Sequence, residues 1–432
     1  MLPQVKIGRL QPGTKTRTHG RAQVQEGTIK KTFDRRSFLK IGAVTGLASN
    51  ISLSASSQAS SAPTVKKYVR LGRTELKVSD ISFGSSQLNP GEEHLVLRAF
   101  DRGVNYFDTA ESYTRHNSEI VIGNALKGKR DQVHIATKMF ASASTRKSSM
   151  MQSLEDSLRR LHTDHVEVLF NHAVNRVSRM QNDEWYEFTE EAKQQGKIQF
   201  TGISGHAGQL IECVDYALDH DLVDVLLLGH NFGQDPAFYE KFVKSFDMVA
   251  KQPDLPRVMA KAKKLDVGVV AMKVLRGARL NDMRPFEQGG HTYAQAAFKW
   301  ALSSDNVDAA IISMTSTEKI DEFLGASGKR LVTREDFKLL EQYARQTDMT
   351  YCRHACNDCE GACPYDVPIA DVLRTRMYAT DYGNLSFAKD EYAQLDSSAS
   401  ACLSCDGKPC QDACTHGINI AQLCGPTHLM LT

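Results

Sequence analysis

The segment GVNYFDTAESY at positions 103–113 contains the pattern from which the fold of this chain can be predicted. Residues 105–109 are rich in aromatic side chains and predict a short strand, and polar side chains follow where that strand ends. Similar runs recur along the chain, with amphipathic helical patterns between them, such as Met151, Leu154, Leu158 and Leu161. The predicted strands are residues 81–84, 105–109, 134–138, 166–172, 198–204, 223–231, 267–273 and 309–314.

The order of these elements predicts the fold class. Strands that alternate with helices are typical of parallel βαβ units, and eight repeats over roughly 260 residues match a (β/α)8 barrel. Segments 68–70 and 76–78, separated by Gly72, predict a hairpin ahead of the barrel. A doubly wound open sheet is the alternative, but the Gly-x-Gly-x-x-Gly turn that would favour it does not follow the first strand. We predict an α/β protein with a barrel over residues 66–330.

Polar side chains stand at the ends of successive predicted strands. In a (β/α)8 barrel, functional residues gather where each strand meets the loop that follows it. Burying a polar group inside a barrel mouth costs free energy unless the group is paired. A set of polar residues on successive strand ends therefore indicates a functional site more specifically than any single one does. The set is Asp108, Lys138, His172, Ser204, Asn231 and Lys273.

Several of these segments resemble the aldo-keto reductases. The likeness is carried by residues 103–113, followed by Ser118-Glu119 and Gly123, and by four later segments in the same order: Ala136-Thr137-Lys138, His172, Gly202-Ile203-Ser204 and Val270-Ala271-Met272-Lys273. The resemblance implies hydride transfer between NAD or NADP and a small carbonyl or alcohol substrate. It also implies a catalytic tetrad, which consists of Asp108, Tyr113, Lys138 and His172.

The chemistry of carbonyl reduction explains why those residue types are needed. A Tyr hydroxyl can supply the proton, but its ordinary pKa is about 10. We expect the Lys138 ammonium to lower the pKa of Tyr113, and Asp108 to hold Lys138 in position. His172 would donate a hydrogen bond to the substrate oxygen. The structural alternatives are a buried Asp108–Lys138 ion pair and a Tyr113 that only anchors its loop.

The resemblance also implies a cofactor site, from which this chain departs in places. Many relatives have Ser-Asn here to hold the carboxamide, whereas this chain has Ser204-Gly205-His206, so one amide contact is either missing or replaced by His206. Leu227 stands where a Gln is expected. His230 aligns with the aromatic residue that stacks on nicotinamide. Phosphate groups would bind near a helix N-terminus after the last strand. The candidate cofactor residues are Ser204, His230, Asn231, Lys273, Ser313, Thr315 and Lys319.

Eight of the ten cysteines form two groups near the C-terminus. The first is Cys352, Cys356, Cys359 and Cys363, followed by Pro364, and the second is Cys402, Cys405, Cys410 and Cys414. Their spacing is close to the bacterial ferredoxin run, in which the fourth cysteine binds the other cluster. That arrangement would join Cys363 to Cys402, Cys405 and Cys410, and Cys414 to Cys352, Cys356 and Cys359. Structural zinc and disulfides are the alternatives.

The cysteine spacing therefore predicts a small, mainly helical ferredoxin-like domain over residues 350–432, joined to the barrel by a helix over residues 331–349. It would hold two 4Fe–4S clusters, or one. The clusters would relay electrons to a redox partner protein or only fasten the C-terminus. An iron–sulfur electron-transfer protein with the barrel as scaffold is an alternative function. A binding or regulatory protein with an inactive pocket is another.

The N-terminal region, residues 1–62, carries a predicted export signal and linker. Asp34-Arg35-Arg36-Ser37-Phe38-Leu39-Lys40 resembles the twin-arginine motif, and a weakly apolar run and a cleavage site at Ser57-Gln58-Ala59 follow. We expect export by the twin-arginine translocation machinery to the periplasm or extracytoplasmic side. The alternative is a basic tail on a cytoplasmic protein. Residues 1–40 hold ten basic and two acidic side chains, so the remainder is net acidic and predicts no nucleic-acid partner.

Overall fold

The computed structural model of the chain describes residues 62–206, 209–234, 254–275, 283–346, 352, 358–380 and 384–432. The described residues between 62 and 432 belong to one compact unit. The predicted export signal and Cys356 lie outside the described residues. No helix in the described ranges is long and apolar enough to cross a membrane.

Eight parallel strands close into a barrel, which confirms the predicted fold. Each strand pairs with its neighbours in chain order, and the last strand returns to the first, with Ile311 opposite Ser82. The barrel strands are β3 (Ile81–Gly84), β4 (Tyr106–Asp108), β5 (His134–Met139), β6 (Val166–Asn171), β7 (Ile198–Gly205), β8 (Val225–Gly229), β9 (Gly268–Met272) and β10 (Ala309–Ser313).

The barrel strands are buried on both faces. In β6, Val168 and Phe170 belong to the hydrophobic cluster inside the barrel, whereas Leu169 belongs to the larger cluster between strands and helices. This alternation follows from the two-residue period of a strand. Because both faces are covered, apolar residues predominate in the strands, with a few polar exceptions such as Glu167 and Thr201.

Amphipathic helices surround the barrel. In the helix over Lys147–Arg160, the predicted positions Leu154 and Leu158 are buried. The described helices in this part of the chain are α1 (Glu93–Asp101), α2 (Asn117–Ala125), α3 (Lys147–Arg160), α4 (Asp183–Gln194), α5 (Leu210–Asp219), α6 (Leu255–Lys264), α7 (Tyr293–Ser303) and α8 (Thr317–Leu324).

A hairpin closes the amino-terminal end of the barrel, as the sequence predicts. Strands β1 (Tyr68–Arg70) and β2 (Lys77–Ser79) pair antiparallel, and the turn between them contains Gly72 with φ of +48°. A Cβ at this glycine would lie 2.2 Å from the backbone nitrogen of Gly268, so only glycine fits without displacing a barrel strand.

The chain beyond the barrel is mainly helical. Helix α9 (Arg334–Gln346) lies within the predicted connecting segment and is joined to α7 by a buried Lys299–Asp336 ion pair of 2.7 Å. The helices that follow enclose a separate hydrophobic cluster, which includes Val372, Tyr392 and Ile420. They are α10 (Ile369–Thr380), α11 (Leu385–Ala393), α12 (Pro409–Ala413) and α13 (Ile420–Leu431).

This C-terminal region covers the carboxyl-terminal end of the barrel. Asn175, in the loop after β6, donates a hydrogen bond to Asp371 at 3.0 Å, and Arg176 forms a 2.9 Å ion pair with Asp366. From the last turn of α10, Tyr378 accepts a 3.0 Å hydrogen bond from Lys273, the residue after β9. The barrel mouth is therefore walled partly by its own loops and partly by α10 and α11.

Candidate active site

A cavity of about 610 Å³ opens at the carboxyl-terminal end of the barrel. Asp108 ends β4, Lys138 lies near the end of β5, and His172 directly follows β6, so parallel strands carry all three to one place. Tyr113 reaches the same cavity from the loop after β4. The four predicted tetrad residues are thus neighbours in space.

Lys138 and Asp108 form a buried ion pair at the floor of this cavity. Lys138 Nζ lies 2.5 Å from Asp108 Oδ1 and donates a second hydrogen bond, of 2.6 Å, to the Thr109 carbonyl. Both residues are 1% exposed. Burial raises the pKa of Asp108 and lowers that of Lys138, and the opposite charge of the partner counteracts each shift. The pair holds a cation at a fixed place in the barrel.

Tyr113 lies against this cation. Lys138 Nζ is 4.7 Å from the centre of the Tyr113 ring. Burial raises the pKa of Tyr113 well above its ordinary value, and the charges of Asp108 and Glu391 act in the same direction. The expectation that Lys138 lowers this pKa is therefore wrong, because desolvation of the phenolate and nearby carboxylates outweigh one ammonium. Tyr113 is a neutral phenol, which is the form that donates a proton.

His172 faces Tyr113 edge to face, with ring centres 5.7 Å apart. Burial lowers the pKa of His172 well below its ordinary value, and the charges of Lys138 and Arg179 lower it further. The imidazole is therefore neutral and carries one N–H donor. A neutral donor can polarise a carbonyl oxygen without competing with Tyr113 for the proton transfer.

Arg179 fixes the backbone on which His172 stands. This buried guanidinium donates hydrogen bonds to the carbonyl oxygens of His172 at 2.8 Å, Ala173 at 2.6 Å and Ala141 at 3.0 Å, and to Asn171 Oδ1 at 2.8 Å. It joins the ends of β5 and β6. Sequence reasoning missed Arg179, because an arginine in a loop carries no signal of its own.

The candidate cofactor residues divide into two groups. Ser204, Lys273, Ser313 and Lys319 line the cavity, and Thr315 accepts a 3.2 Å hydrogen bond from Lys319 Nζ beside them. His230 and Asn231 are not part of the cavity lining.

His230 points away from the barrel interior because of the strand's period. In β8, Val225 and Leu227 face the interior, so position 230 falls on the opposite face, with Leu226 and Leu228. There the His230 ring packs against Trp300 at 5.0 Å. Its expected role as a stacking surface for nicotinamide is not supported. Asn231 Oδ1 instead accepts a 3.0 Å hydrogen bond from the Gly233 backbone.

Cationic and backbone donors lie at the far end of the cavity. Helix α8 begins there, and the Ser316 side chain caps it by accepting from the Lys319 backbone N–H at 3.2 Å. Arg284 and Lys319 contribute to the lining nearby. A helix N-terminus with adjacent cations is suited to phosphate groups, so this donor set fits the pyrophosphate and ribose end of a dinucleotide.

Comparison with known proteins identifies the family. The model of the Aldo/keto reductase family matches residues 80–345. The chain belongs to this family. It is therefore an NAD(P)-dependent oxidoreductase, and the family implies small carbonyl or alcohol substrates.

The chain is similar to relatives over the barrel. It is 24% identical over 307 residues to an uncharacterized oxidoreductase, YqkF, of Bacillus subtilis, covering 64% of this chain and 96% of that protein. It is 27% identical over 299 residues to L-galactose dehydrogenase of Arabidopsis thaliana, covering 59% and 86%. Aldo-keto reductase AKR11C1 from Bacillus halodurans has the same fold, with a TM-score of 0.51, 22% identity, and coverage of 64% and 95%.

The family match ends before the first of the grouped cysteines, Cys352. Five residues beyond this match line one side of the candidate active-site cavity. Sequence reasoning missed them, because a helical segment that follows a complete barrel carries no signal of where it docks. They are Arg374, Met377, Tyr378, Phe387 and Glu391.

Of the described grouped cysteines, Cys359 belongs to the second hydrophobic cluster, and five more pack against it: Cys352, Cys363, Cys402, Cys410 and Cys414. Burial raises the pKa of Cys410, and the neighbouring thiols of Cys363, Cys402 and Cys405 raise it further. These four cysteines are the first of the two sets expected from the ferredoxin arrangement. Among the described residues, no group of three or more His, Cys, Asp or Glu side chains is arranged to hold a metal ion.

Proposed function

We propose that this protein reduces a small carbonyl substrate with a nicotinamide cofactor and that its C-terminal region is an iron–sulfur domain. The observation that carries the first part is the convergence of Asp108, Tyr113, Lys138 and His172 on one cavity. Each comes from a different segment, and burying these polar groups together costs free energy that packing alone would not require.

In this proposal, Tyr113 is the proton donor. Its raised pKa keeps the phenol protonated until a substrate oxygen gains negative charge beside it. The Lys138 ammonium then stabilises the phenolate that remains, and Asp108 keeps that ammonium in place. His172 donates a hydrogen bond to the same oxygen and orients the carbonyl.

The nicotinamide, when bound, supplies the hydride. Ser204 would contact its carboxamide, and Ser313 and Lys319 would contact the phosphates or ribose together with the N-terminus of α8. Gly205 and Leu227 stand where the amide-bearing residues are expected, so fewer contacts would hold the carboxamide unless His206 supplies one. Both NAD and NADP are compatible with these residues.

We further propose that the eight grouped cysteines hold two 4Fe–4S clusters. The ferredoxin-like spacing and the proximity of Cys410 to Cys363, Cys402 and Cys405 support this assignment. Such clusters would cross-link the segments on either side of α10 and α11, and they would exchange single electrons with a partner protein. The proposed twin-arginine signal agrees with this, since that route carries folded proteins with their cofactors.

The hydride-transfer proposal is tested by Tyr113→Phe. We expect carbonyl reduction to fall by at least about 100-fold, while quenching of NADPH fluorescence shows that the cofactor still binds. Tyr68→Phe is the control, since the Tyr68 hydroxyl donates to Gly103 at the opposite end of the barrel. Unchanged turnover in Tyr113→Phe would refute the assignment.

The iron–sulfur proposal is tested by anaerobic purification and quantification of iron, sulfide and zinc. Two clusters require about eight irons for each chain, and one requires about four. Cys363→Ala should reduce the iron content, whereas Cys213→Ala, a buried cysteine in helix α5, should not. Zinc without sulfide would overturn the proposal and leave the barrel chemistry intact.

A further inference from the structure

A second, smaller cavity lies beside the candidate active site, between the loops after β5, β6 and β7 and the C-terminal helices α10 and α11. It has a volume of about 30 Å³. Part of its lining is partly exposed, including Asn175 and Gln394. Four residues line both this cavity and the larger one, so they form the partition between the two: His172, His206, Arg374 and Glu391. The small cavity therefore lies between the tetrad and the protein surface.

The residues that line the small cavity carry three buried polar atoms without a hydrogen-bond partner among the described residues. They are Asn175 Oδ1, Arg374 Nε and Glu391 Oε1. Arg374 is 6% exposed, and its Nη1 donates at 2.6 Å to both Asp371 Oδ1 and His206 Nδ1, so the guanidinium is fixed in place. Buried polar groups are almost always hydrogen-bonded, to water where protein offers no partner. A polar cavity of this volume has room for about two water molecules.

Glu391 also lies close to Tyr113. One turn earlier on α11, Phe387 packs edge to face on the Tyr113 ring, with ring centres 6.1 Å apart. Residues four apart lie on the same face of a helix, so Glu391 projects from α11 on the side that meets Tyr113. Both residues line the larger cavity, and the charge of Glu391 acts on Tyr113. Glu391 thus reaches the proton donor on one side and the small cavity on the other.

The surroundings of Glu391 favour its protonated form. Arg374, Lys273 and Lys138 favour the carboxylate, but burial is the largest influence and raises the pKa of the carboxyl, with the charge of Asp371 acting in the same direction. The charged and titratable groups that face Glu391 are Asp371, Arg374 and Tyr378 from α10, Lys138 from β5, Lys273 after β9, Tyr113 after β4, His172 after β6 and His206 after β7.

Of the four residues in the partition, Glu391 is the one suited to take up and release a proton. Arg374 keeps its charge at any ordinary pH, and it donates to His206 Nδ1, which leaves no place for a second proton on that ring. Burial lowers the pKa of His172 well below its ordinary value, so this imidazole stays neutral. A carboxyl that titrates above the usual range of glutamate can both give and accept a proton.

We propose that Glu391 returns a proton to Tyr113 after each carbonyl reduction and is itself recharged by water in the small cavity. In the reduction, the Tyr113 O–H bond breaks, an O–H bond forms on the substrate oxygen, and a phenolate remains. The Glu391 carboxyl then gives its proton to the phenolate oxygen, and the carboxylate takes a proton from cavity water that exchanges with solvent. In alcohol oxidation the same protons move in reverse. Cofactor and substrate would fill the larger cavity, and the small cavity is a route that they do not block. This inference rests on the proposed function of the site.

The test separates the first turnover from those that follow. Glu391→Gln keeps the shape of the side chain and removes the proton carrier. With the anaerobically purified full chain, NADPH and propanal in a stopped-flow instrument, the first turnover should keep its rate within about twofold, because Tyr113 starts protonated, whereas steady-state kcat should fall at least about tenfold. Asp390→Asn, which removes a carboxylate from the same helix outside both cavity linings, is the matched control and should change neither rate.

Two further measurements distinguish a lost proton carrier from a damaged structure. Glu391→Ala leaves room for a small acid, so imidazole added at constant pH and ionic strength should raise the steady-state kcat of this variant in proportion to its concentration, and should leave the wild-type protein unchanged. The solvent deuterium isotope effect on kcat should be larger in Glu391→Gln than in the wild-type protein, because the return of the proton becomes rate-limiting.

The outcomes for this inference and for the proposed reaction differ. Equal steady-state kcat in the wild-type protein and Glu391→Gln would overturn the proton route and leave carbonyl reduction standing. A first turnover slowed as much as the later ones, without rescue by imidazole, would show that Glu391 only supports the structure, and would overturn the route as well. A wild-type protein that reduces no carbonyl would reject the reaction itself and the route with it.

Discussion

Lys273 is a half-buried amine whose pKa lies near neutrality, and the effect of this on stability can be measured. Lys273 Nζ donates to the Tyr378 hydroxyl at 3.0 Å, under the C-terminal helices. Burial, and then the charge of Arg374, lowers its pKa from 10.5 to about 7, against the opposing influence of Glu391 and Asp371. Lys273→Met removes the titrating group and retains most of the stem.

The magnitude follows from proton linkage. Because the folded pKa is depressed, the unfolded chain binds more protons than the folded one between about pH 7 and pH 10.5. Stability therefore rises with pH across that window. At about 1.4 kcal/mol for each pKa unit, the wild-type protein should gain about 2.5 kcal/mol over the Lys273→Met variant between pH 6 and pH 9.

The assay is urea unfolding followed by tryptophan fluorescence. Both tryptophans, Trp185 and Trp300, lie on barrel helices, so the signal reports barrel unfolding. Lys127→Met, at an exposed position, controls for the exchange of lysine for methionine. If the stability difference between the wild-type protein and Lys273→Met stays constant from pH 6 to pH 9, the depressed pKa of Lys273 is refuted.

Three further perturbations have defined outcomes. Asp108→Asn leaves the Lys138 ammonium buried without its carboxylate. It should lower the free energy of unfolding, measured with urea, by about 3–5 kcal/mol, and kcat in steady-state kinetics by at least about 100-fold. Retained activity would contradict the role of the pair. Gly72→Ala should lower the free energy of unfolding by more than about 3 kcal/mol, because its Cβ would clash with the Gly268 backbone. Gly128→Ala, at φ of +75° with no atom near the added Cβ, should cost only about 1 kcal/mol. Equal shifts in the melting temperature of the two variants would contradict this. Because the pKa of His172 is lowered well below its ordinary value, the pH profile of kcat/KM for carbonyl reduction should show no imidazole titration between about pH 6 and pH 8, and a titration that disappears in His172→Gln would refute the neutral form.

The barrel and the convergence of the tetrad could be predicted from local patterns. Each of Asp108, Lys138 and His172 follows a run of buried apolar residues, and parallel closure places all strand ends at one mouth. The two-residue period of the strand, counted from the inward-facing Leu227, also places His230 on the outer face of β8. The family resemblance alone did not show this.

The sequence by itself determined the barrel, its hairpin and the residue types at the strand ends, because these depend on periodicity over short distances. Only the tertiary structure decided that Arg374 and Glu391 enter the barrel's cavity, and that burial raises the pKa of Tyr113. Docking between segments more than 200 residues apart, and the desolvation that follows from it, depend on long-range packing that no local pattern encodes.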